Sequence, residues 1–207
     1  MQLTTVRGHA RGLEDRTLRA MFEARKRVFV DLLKWDVPVL AGRYEVDQFD
    51  DGHATYLILS DAEGAHLGSA RLLKTERPHI LDSLFPGLCE EAPPRGADTR
   101  EITRFCLDRR LTARTRRDAR DTLVHALTRH ALEQSITSYT GVAEMGWLQQ
   151  ILAFGWDCRP LGLPQYHGGT LLGALHIAVT PDTPRLLARA GLVDRVTTPA
   201  PPRRLAA

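Results

Sequence analysis

The chain has 207 residues, 43% of them hydrophobic, 26% charged and 6% aromatic. Twenty-eight Lys and Arg against 25 Asp and Glu leave a formal charge of +3. This near-average composition excludes wholesale disorder and collagen-like or coiled-coil architectures, and so small a basic excess implies no nucleic-acid partner.

In chain order, the N-terminal residues lack the apolar stretch of a signal peptide. Leu18 to Leu33 then carries apolar residues at helical spacing (Leu18, Met21, Phe22, Val28, Phe29, Leu32, Leu33), with Arg25 interrupting the stripe on the face of Phe22 and Phe29. An arginine there either snorkels to water or sits in a cleft with carboxylate partners. Lys34 to Asp51 reads as a long irregular connection holding Trp35 and the carboxylates Glu45, Asp47, Asp50 and Asp51. Thr55–Ser60 and Ala65–Leu73 read as a hairpin, with Arg71 inside its second strand. Thr99–Leu107 reads as a strand bearing Glu101 and Arg104, Asp118–Glu133 as an amphipathic helix, Ser135–Ala143 as a strand and Gly146–Phe154 as a helix. Leu171–Val179 follows as a buried strand, and Thr183 as the N-cap of a short helix. Residues 1–195 read as one domain and 196–207 as a disordered tail. The order predicts an α/β fold: a three-layer αβα sandwich around a mixed sheet, like that of N-acetyltransferase-related enzymes.

Several chemistries are absent. There is no GxGxxG, P-loop, HExxH or GxSxG, and the eight histidines show no metal-ligand spacing, so no metal site is expected. Cys89, Cys106 and Cys158 are too sparse for a disulfide framework and suit a reducing cytoplasm. No apolar run is long enough to span a membrane. Between the strand ending at Leu107 and the helix expected from Asp118, where a CoA-dependent acetyltransferase usually places glycines around a pyrophosphate, the sequence has no glycine. It has Arg109, Arg110, Arg114, Arg116, Arg117 and Arg120, a solvated face or a docking site for an acidic partner.

The combination of R-x-x-x-F-x-x-x-x-x-W (Arg25, Phe29, Trp35), E-x-D-x-x-D (Glu45, Asp47, Asp50), ARLL around Arg71, LFPGL around Phe85 and EITRF from Glu101 to Phe105 resembles the acyl-homoserine lactone (autoinducer) synthase family. The resemblance runs over roughly residues 18–106. It departs from the family in a slightly longer gap after Trp35 and in Thr103 where many members have serine. It implies transfer of an acyl chain from acyl carrier protein or acyl-CoA to the amine of S-adenosylmethionine. Lactonisation and release of methylthioadenosine follow, with S-adenosylmethionine a consumed substrate and no cofactor.

The residue types suit that chemistry. Asp47 and Asp50 can hold cationic groups of the substrate, Arg25, Arg71 and Arg104 can neutralise carboxylates, and Phe29 and Trp35 offer π surface. Glu101, with Arg104 and Arg71, forms the expected catalytic group, Glu101 being the candidate base. The competing reading of the same residues is an ion-pair network that only rigidifies the fold. Because a regular strand turns Glu101 and Arg104 to opposite faces, a shared cleft requires a bulge near Ile102–Thr103. Thr103, Phe105, Val142, Trp147 and Ile151 are the expected walls of the acyl pocket, and the arginine run the expected carrier-protein dock. A threonine recognises a 3-oxo group in some family members; Thr140 and Gly141 both remain open for that position. The competing readings are a CoA-dependent N-acyltransferase of the same fold and a non-catalytic binding module.

Overall fold

The computed structural model describes residues 1–8 and 15–196, so the expected disordered tail lies outside it except for Val196. Among the described residues the strands are β1 (Gln2–Arg7), β2 (Val39–Leu40), β3 (Tyr44–Glu45), β4 (Thr55–Ser60), β5 (His66–Lys74), β6 (Thr99–Leu107), β7 (Ser138–Glu144), β8 (Asp157–Pro160), β9 (Gln165–His167) and β10 (Thr170–Ala178). The α-helices are α1 (Arg16–Arg25), α2 (Ile80–Leu84), α3 (Ala113–Glu133), α4 (Met145–Leu152) and α5 (Thr183–Arg189). Eight strands form one mixed sheet in the order β1-β4-β5-β6-β7-β10-β8, with β9 also paired to β10; β2 and β3 form a separate ribbon. Only β6 and β7 run parallel.

The central strands are buried on both faces, which is why β4 reads TYLILS with little alternation. Leu57 and Leu59 face the main core with Leu72, Leu123, Leu127 and Leu175, under α3. Tyr56 and Ile58 face the opposite layer with Leu18, Met21 and Phe22 of α1. The expected sandwich is therefore the observed one.

Four local differences have physical causes. First, α1 continues as a π-helical turn over Lys26–Leu32, with Leu33 N–H donating to the Val28 carbonyl at 2.9 Å. The wider turn shifts the helical phase, so Phe29 is buried whereas Leu32 and Leu33 are exposed, against the expected continuous stripe. Second, α3 starts at Ala113, five residues before the expected Asp118, because the Thr112 hydroxyl caps it by accepting from Thr115 N–H at 3.2 Å. Arg114, Arg116 and Arg117 thus lie on a helix rather than in a loop. Third, Asp182, not Thr183, is the N-cap of α5; the Thr183 hydroxyl instead accepts from Thr180 N–H. Fourth, the short strands β1, β8 and β9 add to the sheet without having been expected.

The decisive irregularity lies in β6. Leu73, Leu72 and Arg71 pair in regular register with Glu101, Ile102 and Thr103, and then Ser69 pairs with Cys106, so β6 carries one extra residue there. Arg104 has φ +49°. The expected bulge exists, one residue beyond the predicted position, and it turns Thr103 and Arg104 to the same face. On its other side, β6 stays paired with β7 only from Thr99↔Ser138 to Glu101↔Thr140. Beyond that rung the two strands part, opening a cleft in the middle of the sheet.

Candidate active site

Above the bulge, three arginines and three carboxylates neutralise one another. Arg25, fully buried at the C-terminus of α1, donates to Asp50 through both terminal nitrogens at 2.7 and 2.8 Å and to Glu45 through Nε at 2.5 Å. Arg71 from β5 grips Asp47 at 2.6 and 3.0 Å, reaches Asp50 Oδ1 at 2.8 Å and donates its Nε–H to the Thr103 hydroxyl at 2.9 Å. Arg104 closes the ring on Glu45 at 3.0 Å and Asp47 at 2.7 Å. The Tyr56 hydroxyl donates to Asp50 at 3.0 Å. Burial disfavours the Asp50 charge, but Arg25 and Arg71 outweigh it and hold the carboxyl well below its ordinary range. Asp50 and Glu45 in turn hold the Arg25 guanidinium above its ordinary value despite desolvation.

All five predicted ionic residues of this cluster (Arg25, Arg71, Arg104, Asp47, Asp50) come together. The cleft reading of Arg25 holds, and snorkelling does not, since Arg25 is 1% exposed. Glu45, quoted in the motif but not assigned a site role, is equally buried and bridges Arg25 and Arg104. Tyr56 was hidden by its ordinary place in an apolar strand. Asp47 and Asp50 are occupied by arginines, so their charges are already compensated within the protein.

Glu101 stands apart from this ring, on the last paired rung before the cleft. Its two carboxylate oxygens accept N–H bonds from Ile80 at 2.8 Å and Leu81 at 2.9 Å, the opening residues of α2. Burial pushes its carboxyl up to about 8, and the two amides and the Arg71 charge only partly offset this. A carboxyl that titrates near neutrality beside an opening in the sheet has the property a general base needs.

The π-helical turn and Lys34, at φ +61°, fold Trp35 back onto Phe29, their rings stacked at 4.7 Å and 19°. The Arg104 guanidinium lies 5.5 and 5.7 Å from the Phe29 and Trp35 centroids. The predicted acyl-wall residues divide between layers. Phe105, Trp147 and Ile151 pack against the main core, with Phe105 and Trp147 at 5.1 Å, whereas Val142 belongs to the opposite apolar cluster with Leu81, Leu88 and Ala174. Thr103 is in neither group; its hydroxyl serves Arg71. Thr140 is fully buried and donates to the Leu175 carbonyl at 2.9 Å. A groove of about 600 Å³ opens between α4, the 89–94 loop and the β8–β9 connection, lined by Leu148, Leu152, Leu161, Gly173 and Ala174 among others. It touches none of the ion-ring residues, but Ala174, Cys89 and Leu161 of its wall share the apolar cluster with Leu81 and Val142.

The sequence model of the autoinducer synthase family matches residues 10–191. The chain belongs to the autoinducer synthase family. It is 33% identical over 161 residues to the acyl-homoserine-lactone synthase of Agrobacterium fabrum, covering 74% of this chain and 75% of that one. To the acyl-homoserine-lactone synthase of Ralstonia nicotianae it is 40% identical over 88 residues, which are 42% of this chain and 43% of the relative. In three dimensions it resembles the CoA-dependent acyl-homoserine lactone synthase MesI, with TM-score 0.82, 28% identity and coverage of 94% of this chain and 98% of the other. An acyl-CoA N-acyltransferase of Pseudomonas aeruginosa shares the fold alone, at TM-score 0.53 and 17% identity over 86% of this chain and all of the other.

For this autoinducer synthase the arginine run divides by partner. Arg110 is tied to Asp108 at 2.9 Å, Arg116 to the Asp108 carbonyl at 3.0 Å, and Arg120 to Asp121 at 2.6 Å. Arg109, Arg114 and Arg117 are exposed and form no ion pair among the described residues. Among those residues no group of three or more His, Cys, Asp or Glu is arranged to hold a metal, and no helix is long and apolar enough to cross a membrane.

Proposed function

We propose that this chain acylates the amine of S-adenosylmethionine from a thioester donor and that Glu101 is the base of that step. Family membership carries the reaction class, acyl transfer to S-adenosylmethionine in autoinducer synthesis. The observation that carries the residue-level reading is Glu101, buried and amide-held where β6 and β7 part. In the free protein its carboxyl is mostly protonated at neutral pH. The sulfonium and ammonium of the substrate favour its ionised form, so binding itself prepares the base. The ammonium loses a proton to Glu101, directly or through one water, and the resulting amine attacks the thioester carbonyl; the C–N bond forms, the thioester C–S bond breaks, and the departing thiolate takes the second nitrogen proton. The methionyl carboxylate then attacks its own γ-carbon, forming the lactone C–O bond as the C–S bond breaks and methylthioadenosine departs. Phe29 and Trp35 face the sulfonium or adenine, and the neutral ion ring fixes Arg104 and Asp47, its least buried members, at the edge of the cleft. The reaction requires neither metal nor cofactor.

The acyl chain runs from Glu101 past Val142 toward the groove walled by Leu148, Leu161 and Gly173. Open volume favours that course over the packed Phe105–Trp147–Ile151 layer. Arg109, Arg114 and Arg117 present the positive surface that an acidic acyl carrier protein would meet. Acyl-CoA is the second reading for the donor, supported by the likeness to MesI. Unpaired thiols at Cys89, Cys106 and Cys158 are consistent with a cytoplasmic location. Incubation of the purified chain with S-adenosylmethionine and acyl-carrier or acyl-CoA series, read by mass spectrometry, should yield an acyl-homoserine lactone and methylthioadenosine in equal amounts. Acylation of other amines without consumption of S-adenosylmethionine would establish the N-acyltransferase alternative instead.

A further inference from the structure

The two banks of the cleft come from distant parts of the chain. One bank is the π-helical turn with Phe29 and Trp35, and the other is the end of β7 leading into α4, paired with β10 but unpaired on its β6 side. Glu144 is the last residue of β7 and the N-cap of α4, yet its side chain makes no capping bond to that helix. Its Oε1 instead accepts the indole N–H of Trp35 at 3.3 Å, across 109 positions of sequence. The other carboxylate oxygen has no protein partner among the described residues, and the side chain is half-buried. Trp35 is well placed to be held in this way. Its backbone N–H donates to the Phe29 carbonyl at 2.8 Å, its ring lies on Phe29, and Arg104 sits over both rings. Stacking leaves the indole free to slide in its own plane. A hydrogen bond at its edge removes that freedom.

We propose that Glu144 is a positioning residue that clasps Trp35 across the mouth of the β6–β7 cleft, fixing the aromatic wall against which S-adenosylmethionine is held. The proposal rests on the reading of Trp35 as part of the S-adenosylmethionine site. The bond ties the ion-ring bank to the bank carrying Val142 and α4, so it sets the distance between the two substrates as well as the angle of the indole.

The test is a double-mutant cycle on KM for S-adenosylmethionine, with a spectroscopic readout that needs no activity. Glu144→Ala should raise KM for S-adenosylmethionine about fivefold, the worth of one hydrogen bond, and leave KM for the acyl donor unchanged. Trp35→Phe keeps a ring, removes the N–H and should produce a similar increase. The double variant should be no worse than the more impaired single one, because both changes break the same bond. Glu144→Gln, which retains an acceptor oxygen, should restore most of the wild-type KM. In ¹H–¹⁵N spectra the Trp35 indole N–H resonance, assigned by its loss in Trp35→Phe, should move upfield in Glu144→Ala and stay near its original place in Glu144→Gln. Effects that multiply in the double variant, or an unmoved resonance and KM in Glu144→Ala, would overturn the clasp. A wild-type protein that makes no lactone would defeat the reaction reading, while the resonance test would still decide whether the clasp exists.

Discussion

Replacing Glu101 with Gln keeps the size of the side chain and removes its ability to accept a proton. In the wild type each carboxylate oxygen accepts one amide, from Ile80 and from Leu81. Gln has one acceptor oxygen, so its NH2 must face the other amide, leaving a buried N–H unpaired at a cost of about 1–3 kcal/mol. The Glu101 carboxyl is raised from 4.5 to about 8 on folding, so the stability it contributes is full below about pH 4.5 and is lost as pH rises through 8. Gln does not titrate, so the wild-type urea midpoint should fall relative to that of Glu101→Gln as pH rises from 5 to 9. Turnover should fall by ~10²–10⁴, the usual contribution of a positioned base. From a value near 8, about one-tenth of Glu101 is ionised at pH 7 and about nine-tenths at pH 9. Ionisation of Glu101 alone should therefore raise wild-type kcat/KM about tenfold over that interval. The substrate amine also titrates near pH 8, so the Glu101 contribution is the part of the slope that Glu101→Gln lacks. Lactone and methylthioadenosine are quantified by mass spectrometry across the pH series. A variant that turns over within a few-fold of wild type, or parallel pH profiles for the two proteins, would refute the assignment of the base.

Asp50→Asn leaves Arg25 and Arg71 with one buried carboxylate too few, and should cost about 3–5 kcal/mol in urea unfolding. Because the Asp50 carboxyl is held below its ordinary range, the wild type should keep this stability above about pH 4 and lose it on further acidification, a dependence that the variant lacks. Arg114→Glu combined with Arg117→Glu should raise KM for carrier-bound donor about tenfold at low salt and abolish its ionic-strength dependence; kinetics unchanged in both respects would remove the carrier-docking role. At Gly173 an added Cβ would lie 2.8 Å from a Leu148 methyl, so Gly173→Leu should fill the groove and shift the lactone profile toward shorter chains. An unaltered chain-length profile in a folded variant would place the acyl tail elsewhere.

Much of the site was legible because its residue types are improbable in their local settings. An arginine inside the α1 stripe and another inside β5 signal buried partners, and the carboxylates of the following loop supply them. The failures share a different cause, namely information that is not local. Helical periodicity assumes a constant phase, and the π-helical turn breaks it, so Leu32 and Leu33 were read as buried and are exposed. Apart from Ala113 at its start, α3 holds no apolar residue before Ala119, so pattern alone does not place its start; the Thr112 cap is the available signal. Strands β8 and β9 are short and largely exposed, and exist because β10 offers them an edge. The division of Val142 from Phe105 between opposite layers follows from the register and the bulge. The meeting of Trp35 with Glu144 depends on the whole sheet between them.

The overall charge of +3 acquires meaning from this distribution. The ring of Arg25, Arg71 and Arg104 with Glu45, Asp47 and Asp50 sums to zero, so the ring attracts a cationic substrate only through its dipoles. A net field drawing S-adenosylmethionine into the cleft must come from carboxylates outside the ring. Glu101 supplies one charge only when ionised, and Glu144 another at the mouth. On the proposed reading, local pairing makes the arginines a rigid frame, and Glu101 is the protein group whose titration turnover follows. That is why mutation of the ring should appear first in unfolding curves and mutation of Glu101 first in turnover.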